Sequence, residues 1–151
     1  MNLEKALEMG FEVMTKYGLI ETWDFKFDGA KRRFGLCNYR NHTISLSMHL
    51  VSLNNEKEVM ATILHEVAHA LVGPNHGHNF LWQAKAIELG CNGTRCYSKE
   101  VITPPRKAIG VCPVCGHTAH RHRMPRKLNS CGKCDPIKFN PKFQLMWSRL
   151  R

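Results

Sequence analysis

The chain has 151 residues, with 22 Lys and Arg against 12 Asp and Glu, and 43% of its residues are hydrophobic. This length allows one domain, or one domain with a small appendage, and the hydrophobic fraction argues against wholesale disorder. No apolar run approaches the roughly 18 residues of a membrane span, and the N-terminus lacks the pattern of a secretory signal. We therefore expect a cytoplasmic protein without a membrane partner.

The first fifty residues carry the patterns of one helix and three strands. Residues 3–17 have the apolar spacing of an amphipathic helix, which Gly18 would end. Apolar and polar residues alternate over residues 23–27, and strands are also predicted over residues 33–39 and 43–47. We expect these strands to form a small, mostly antiparallel sheet.

Two further helices and a domain boundary are predicted in the rest of the chain. Asn55 is a predicted N-cap, and the apolar stripe behind it continues until Gly73-Pro74 would end the helix. A shorter helix is predicted over residues 80–89. The sequence Thr103-Pro104-Pro105 is typical of a boundary, so we predict one domain over residues 1–103 and a second over residues 104–151.

Residues 65–69 form an H-E-x-x-H motif inside the first of these two helices. The i, i+4 spacing puts His65 and His69 on one helix face, where both imidazoles can bind one Zn²⁺. Glu66 stands beside them, where it can act as general base toward a water that the metal acidifies. This pattern predicts a hydrolytic zinc site.

A hydrolytic zinc needs a third protein ligand and an open fourth position. The nearest candidates are His76 and His78, which follow within nine residues of His69, whereas the next Glu is Glu88. We therefore expect three histidine ligands, with His76 and His78 as alternatives for the third.

A second metal site is predicted from cysteine spacing. Four of the seven cysteines form two Cys-x-x-Cys pairs, which are Cys112, Cys115, Cys131 and Cys134. The pairing, the odd total and the lack of an export signal favour metal binding over disulfides. We expect a closed structural zinc site, so that each chain holds one catalytic and one structural Zn²⁺. The other three cysteines (Cys37, Cys91 and Cys96) are interpreted as buried apolar residues rather than as a third metal site.

The last third of the chain accounts for the whole net charge of +10. Residues 101–151 hold eleven Lys and Arg and one Asp, which indicates a polyanionic partner, most commonly nucleic acid. The predicted DNA-contacting residues are Arg121, Arg123, Arg126, Lys127 and Lys133. Three aromatic side chains (Phe139, Phe143 and Trp147) could stack on unpaired bases of single-stranded DNA. The i, i+4 spacing of Phe143 and Trp147 on a possible helix instead favours packing of this tail onto the domain of residues 1–103.

The segment from His65 to Gly90 resembles the SprT/Spartan family of zinc metallopeptidases. That family combines H-E-x-x-H with a later histidine four residues before an aromatic, and then a short helix that ends near Leu-Gly. Trp82 and Leu89-Gly90 match this pattern, and the match selects His78 over His76 as the third ligand. The resemblance implies an α+β, zincin-like fold of the minigluzincin type, with a small antiparallel sheet and an active-site helix, followed by a zinc ribbon.

The resemblance also implies a function, which is DNA-dependent proteolysis of proteins bound or crosslinked to DNA, as in the repair of DNA–protein crosslinks. We expect a monomer. Two alternatives remain from the residues alone: a DNA-binding zinc-ribbon protein whose H-E-x-x-H unit is not catalytic, and a peptidase without a nucleic-acid role. Glu66 argues against the first, because a purely structural metal site does not need this carboxylate. The charge of the last third argues against the second.

Overall fold

The computed structural model describes residues 1–95 and 100–150. The chain divides into two compact units, Met1–Thr103 and Pro104–Arg151, which we call the catalytic unit and the ribbon unit. In the part of the chain that is described, no helix combines the length and apolar character that a membrane crossing requires.

Residues 1–95 of the catalytic unit contain four helices. They are α1 (Leu3–Lys16), α2 (Met48–Leu53), α3 (Glu56–Val72) and α4 (Phe80–Glu88). Three of them agree with the sequence prediction to within one or two residues. The sequence analysis missed α2, because its six residues make fewer than two turns and show too little periodicity to be distinguished from the strand before them.

The three strands of this unit form a mixed sheet. They are β1 (Asp24–Asp28), β2 (Gly35–Asn38) and β3 (Thr43–Ser47), and β3 lies in the middle of the order β1-β3-β2. The pairing of β2 with β3 is antiparallel, as predicted. The prediction of an antiparallel sheet is wrong for the other pair, since β1 runs parallel to β3.

The segment between β1 and β2 explains the parallel pair. The Asp28 carboxylate accepts hydrogen bonds from the backbone N–H of Ala30 at 2.8 Å and from the Arg33 guanidinium at 2.7 Å. It also accepts a hydrogen bond from the Ser45 hydroxyl at 2.8 Å. These contacts hold the segment in a wide crossover instead of a tight hairpin, so β3 occupies the place between β1 and β2.

The core of the catalytic unit explains how α3 is oriented. The predicted apolar stripe of Val59, Ile63 and Val67 is fully buried in a cluster that also contains residues of α1 and the sheet. At the N-terminus of α3 the Asn55 side chain accepts the backbone N–H of Glu58 at 3.0 Å, which confirms the predicted cap. Because α3 is anchored along this stripe, its H-E-x-x-H residues line a cleft.

The ribbon unit is a small antiparallel sheet with cysteine-bearing turns. Its strands are β4 (Ala108–Val111), β5 (Thr118–Arg121) and β6 (Met146–Arg149), in the order β5-β4-β6. Cys112, Cys131 and Leu145 are the buried residues of its hydrophobic cluster. So small a core leaves the unit dependent on additional stabilisation.

The possible helix through Phe143 and Trp147 is not present. Phe143 ends a short 3₁₀ turn (Pro141–Phe143), and Trp147 lies in β6 opposite Gly110 of β4. A Cβ on Gly110 would lie 2.6 Å from Trp147 Cε2, so the glycine leaves the space that the indole fills. The strand pairing therefore overrides the helical spacing of the two aromatic residues.

Candidate metal centre and active site

Three histidine side chains of the catalytic unit converge on one point. The Nε2 atom of His78 lies 3.1 Å from the Nε2 atoms of both His65 and His69. Two nitrogen ligands at about 2.0–2.1 Å from one tetrahedral Zn²⁺ are separated by about 3.3 Å. The three imidazoles therefore fit a single zinc ion.

Two helices and the loop between them bring these side chains together. His65 and His69 lie one turn apart on α3, and His78 lies in the loop that leads into α4. The loop begins at Gly73, whose φ of 88° is a left-handed conformation that favours glycine and whose N–H donates to the His69 carbonyl at 3.0 Å. This turn ends α3 and reverses the chain, so that His78 returns to the helix.

The alternative third ligand lies outside this group. His76 belongs to the same loop, but its Nδ1 atom lies 3.4 Å from Nδ2 of Asn79. Among the described residues, the nitrogen atoms that cluster around one point belong to His65, His69 and His78. The geometry thus favours His78 over His76.

The three imidazoles are suited to metal binding at neutral pH. Burial lowers the pKa of His65 to about 4, with the neighbouring His69 and His78 as smaller causes. Burial also lowers the pKa of His69 to about 4, and the pKa of His78 is shifted in the same direction. Neutral imidazoles keep the nitrogen lone pair that a metal requires.

The carboxylate of the motif is buried in the cleft that the three histidines also line. Glu66 is 7% exposed. Burial raises its pKa to about 7, while a hydrogen bond from the Cys37 backbone N–H and the charge of Arg33 act in the opposite direction. The amide of β2 thus holds the carboxylate, which remains within the lining of the cleft.

The cleft around these groups has a volume of about 1200 Å³. The three histidines and Glu66 line it together with residues of β2 and with Asn92, Thr94 and Arg95. An open cavity of this size can admit an extended peptide segment beside the metal site. The arrangement combines three metal donors, a carboxylate and space for a substrate.

Two cleft residues of the β2 region were not assigned to the site from the sequence. Tyr39 lies between the sheet and the end of α3, with its hydroxyl 3.0 Å from the His69 carbonyl and 3.1 Å from the Gly73 carbonyl. Burial raises its pKa to about 12, so the hydroxyl keeps its proton and donates to one of these carbonyls. Cys37 is half-buried beside it, and burial raises the pKa of its thiol to about 12 as well. No motif in the sequence signals either contact.

The remaining cysteines of the catalytic unit do not form a metal site among the described residues. Cys91 is buried in the core, in agreement with its interpretation as an apolar residue. Cys37 lines the cleft instead of the core. Cys96 lies outside the described residues.

Comparison with known proteins gives one decisive result. The sequence profile of the SprT-like family matches residues 5–100. The chain belongs to the SprT-like family. A search of curated proteins found no significant match.

A solved structure similar to this SprT-like chain is the crystal structure of the metallopeptidase zymogen of Methanocaldococcus jannaschii jannalysin. The TM-score is 0.49 and the sequence identity is 16%, and the alignment covers 64% of this chain and 85% of that chain. The family profile ends before the ribbon unit, so this part of the SprT-like protein is assessed from its own geometry.

The ribbon unit brings the four predicted cysteines together. The Sγ atoms of Cys112 and Cys134 are 3.9 Å apart, and those of Cys115 and Cys131 are 3.7 Å apart. Four sulfur ligands at about 2.3 Å from a tetrahedral Zn²⁺ are separated by about 3.8 Å. The four thiols fit a closed zinc site with no open position.

The predicted DNA-contacting side chains all lie on the surface of the ribbon unit. Arg121, Arg123, Arg126, Lys127 and Lys133 are exposed, and within the described chain none of them forms a salt bridge. The guanidinium of Arg121 lies over the Trp147 ring, 5.5 Å from its centre. These cations are therefore available to a polyanion.

The three aromatic residues of this unit differ in exposure. Trp147 is half-buried against Gly110, and its Nε1 donates to the Asn129 side chain at 2.7 Å. Phe143 is half-buried and packs against the cysteine core. Phe139 is 45% exposed. Trp147 and Phe143 thus pack within the ribbon unit, whereas Phe139 presents its ring to solvent.

Proposed function

We propose that this SprT-like chain is a zinc-dependent endopeptidase that acts on proteins bound or crosslinked to DNA, with the ribbon unit binding the DNA. The family and the two groups of metal donors support a zinc protease. The observation that carries the proposal is the buried Glu66 carboxylate, which lies in an open cleft beside three converging imidazoles.

The proposed mechanism assigns separate tasks to the donors and the carboxylate. His65, His69 and His78 hold the metal, and bound Zn²⁺ supplies Lewis acidity to a peptide carbonyl and acidifies water. Glu66 accepts a proton from the attacking water as the water oxygen bonds to the carbonyl carbon. Glu66 then returns this proton to the amide nitrogen as the C–N bond breaks. The products are a carboxylic acid and an amine, which become a carboxylate and an ammonium group by proton exchange at neutral pH.

The surroundings of Glu66 suit this proton transfer. The Cys37 amide holds the carboxylate in place, and in the metal-free protein burial raises its pKa to about 7. A group with a pKa near the working pH both accepts and returns a proton efficiently.

Binding to DNA is proposed from charge and exposure. The ribbon unit holds all of the eleven bases and the single acid of residues 101–151. Four thiolates with one Zn²⁺ subtract about two charges, so the unit stays strongly positive with metal bound. Phosphate contacts of this kind are strong, salt-dependent and insensitive to sequence.

The test is a cleavage assay on a purified DNA-binding protein, with and without single-stranded DNA, for the wild type, Glu66→Gln and Glu12→Gln. We expect cleavage that requires DNA, a loss of at least about 100-fold in Glu66→Gln and no change for the exposed Glu12. Zinc content, with an expected two equivalents per chain, is measured for each variant beforehand.

Two other outcomes of this assay would each support one of the alternative functions. Cleavage that requires Glu66 but is indifferent to DNA would identify a plain peptidase. DNA binding without any Glu66-dependent cleavage would identify a DNA-binding protein with a non-catalytic metal fold.

A further inference from the structure

One aromatic side chain contacts all three imidazoles of the metal centre. Trp82 is 1% exposed, and its ring centre lies 4.6 Å from that of His65, 5.1 Å from that of His69 and 4.5 Å from that of His78. The indole stacks on His69 at an interplanar angle of 26° and meets the other two rings edge to face. The three histidines thus share a single aromatic neighbour.

The cap of α4 connects this indole to the third histidine. Asn79 directly follows His78, and its side chain accepts the backbone N–H groups of Leu81 at 3.1 Å and Trp82 at 3.2 Å. The cap therefore fixes the backbone of Trp82 one helical turn after His78. Because α4 also packs on α3, the indole is held against the two helix-borne histidines at the same time.

The indole N–H of Trp82 does not hold this side chain in place through a hydrogen bond within the described part of the chain. Trp82 Nε1 is buried and has no hydrogen-bond partner in the described part of the chain. A buried donor without an acceptor is unfavourable, so a hydrogen bond does not account for this side chain. The contacts that Trp82 does make with the metal centre are those of its flat ring with the imidazoles.

Ring contacts with Trp82 are shared by all three histidines. A ligating imidazole usually donates its second ring N–H to a carboxylate, a carbonyl or water, which fixes the ring orientation. Within residues 1–95, the close polar contacts between the three rings join their Nε2 atoms. Packing against the Trp82 ring is an orienting contact that all three have in common.

We propose that Trp82 is a positioning residue of the metal centre, whose indole holds the three imidazoles in the orientation that brings their Nε2 atoms together. The inference rests on the proposed function only in taking these histidines as the metal ligands. An imidazole free to rotate would lose orientation entropy when the metal binds, and packing against a rigid ring removes most of that loss in advance.

The test measures metal binding without any proteolysis. The full chain is prepared with one equivalent of Zn²⁺ in the thiolate site and titrated with Co²⁺, and affinity is determined by competition with a chelator. The variants are Trp82→Leu, Trp82→Phe and Phe25→Leu. Phe25 is a buried aromatic residue of the same core whose aromatic contacts are with Phe11 and Phe27, so its variant controls for general loss of packing.

The expected results separate positioning from packing. Trp82→Leu weakens Co²⁺ binding at the histidine site by about 10- to 100-fold and alters the visible Co²⁺ absorption. Trp82→Phe restores both, because a flat ring remains. Phe25→Leu lowers thermal stability without changing affinity or absorption. If Trp82→Leu does not fold, Trp82→Met carries the same expectation, since it fills the space without a flat ring.

Two outcomes would overturn the inference. One is that Trp82→Leu and Trp82→Met keep the Co²⁺ affinity and absorption of the wild type. The other is that Phe25→Leu loses as much Co²⁺ affinity as Trp82→Leu. The result is also distinct from that of the proteolysis assay. Weakened Co²⁺ binding in Trp82→Leu would stand even if the wild type cleaved no substrate, and Glu66-dependent cleavage with unchanged Co²⁺ binding would refute only the role of Trp82.

Discussion

Gly35 of β2 lies directly against the side chain of Glu66. A Cβ atom at position 35 would be 2.5 Å from Glu66 Oε1 and 2.6 Å from Cγ, closer than a real Cβ contact. The absence of a side chain at the start of β2 therefore leaves the space that the carboxylate occupies. Since the Cys37 amide two residues later also holds Glu66, β2 determines where this carboxylate sits.

Gly35→Ala should reduce activity while leaving both metal sites filled. The added methyl group must displace either Glu66 or β2, and a misplacement of about 1 Å can cost about 100-fold in rate. The measurement is kcat together with zinc content. The control is Gly29→Ala, since a Cβ at position 29 meets nothing within 4 Å. Equal activity in the two alanine variants would show that the contact with Glu66 is unimportant.

The free energy of unfolding of the metal-free protein should increase with pH, and Glu66 should make this increase smaller. His65 and His69 have pKa values near 4 when folded against 6.5 in the reference state, so their contribution to stability is lost as pH falls from about 6.5 towards 4. Glu66 acts in the opposite direction, because its folded pKa of about 7 lies above 4.5 and its contribution is lost as pH rises through 7. Stability should therefore increase with pH over this range.

The same linkage predicts a steeper increase in Glu66→Gln, which removes the opposing carboxyl group. The measurement is the free energy of unfolding by denaturant, in the presence of a chelator, at intervals from pH 4 to pH 7. A slope in Glu66→Gln that is equal to or smaller than that of the wild type would contradict the assigned pKa of Glu66. Glu12→Gln, at an exposed position, serves as the control.

Removal of one ribbon thiolate should unfold the ribbon unit and spare the catalytic metal site. Cys131 is fully buried, and it forms the small hydrophobic cluster of this unit with Cys112 and Leu145. Without metal, so small a core does not offset the conformational entropy of the chain. Cys131→Ser should retain one equivalent of zinc and lose DNA affinity, whereas Cys91→Ala, in the catalytic unit, should retain two equivalents. Zinc analysis and DNA titration check both.

The basic side chains of the ribbon unit should contribute to affinity by neutralising phosphates. Removing one cation that binds a phosphate should reduce the slope of log K against log salt by about 0.7 on single-stranded DNA. The double variant Arg123→Ala/Arg126→Ala is compared with Lys16→Ala/Lys26→Ala, which removes two exposed cations from the catalytic unit. An unchanged slope in the first pair, or an equal change in both, would place the DNA elsewhere.

The sequence by itself was sufficient for features that depend on local spacing. The i, i+4 rule places His65 and His69 on one helix face whatever the rest of the fold, and Asn55 and Gly73 mark the ends of that helix through local hydrogen bonding. The two Cys-x-x-Cys pairs are likewise local, since each pair occupies one tight turn. The family follows from the same short segment, and the profile match confirms it.

Only the tertiary structure decided the features that join distant parts of the chain. The parallel pairing of β1 with β3 depends on a crossover held by Asp28, and the convergence of His78 on His65 and His69 depends on how the loop after Gly73 returns to α3. Gly35 contacts Glu66 although the two residues are 31 positions apart in the sequence. Trp82 contacts three imidazoles, the most distant of which belongs to a residue 17 positions earlier. Periodicity and spacing report on neighbours along one element. Contacts between elements depend on how their buried faces pack, and no pattern within a single element contains that information.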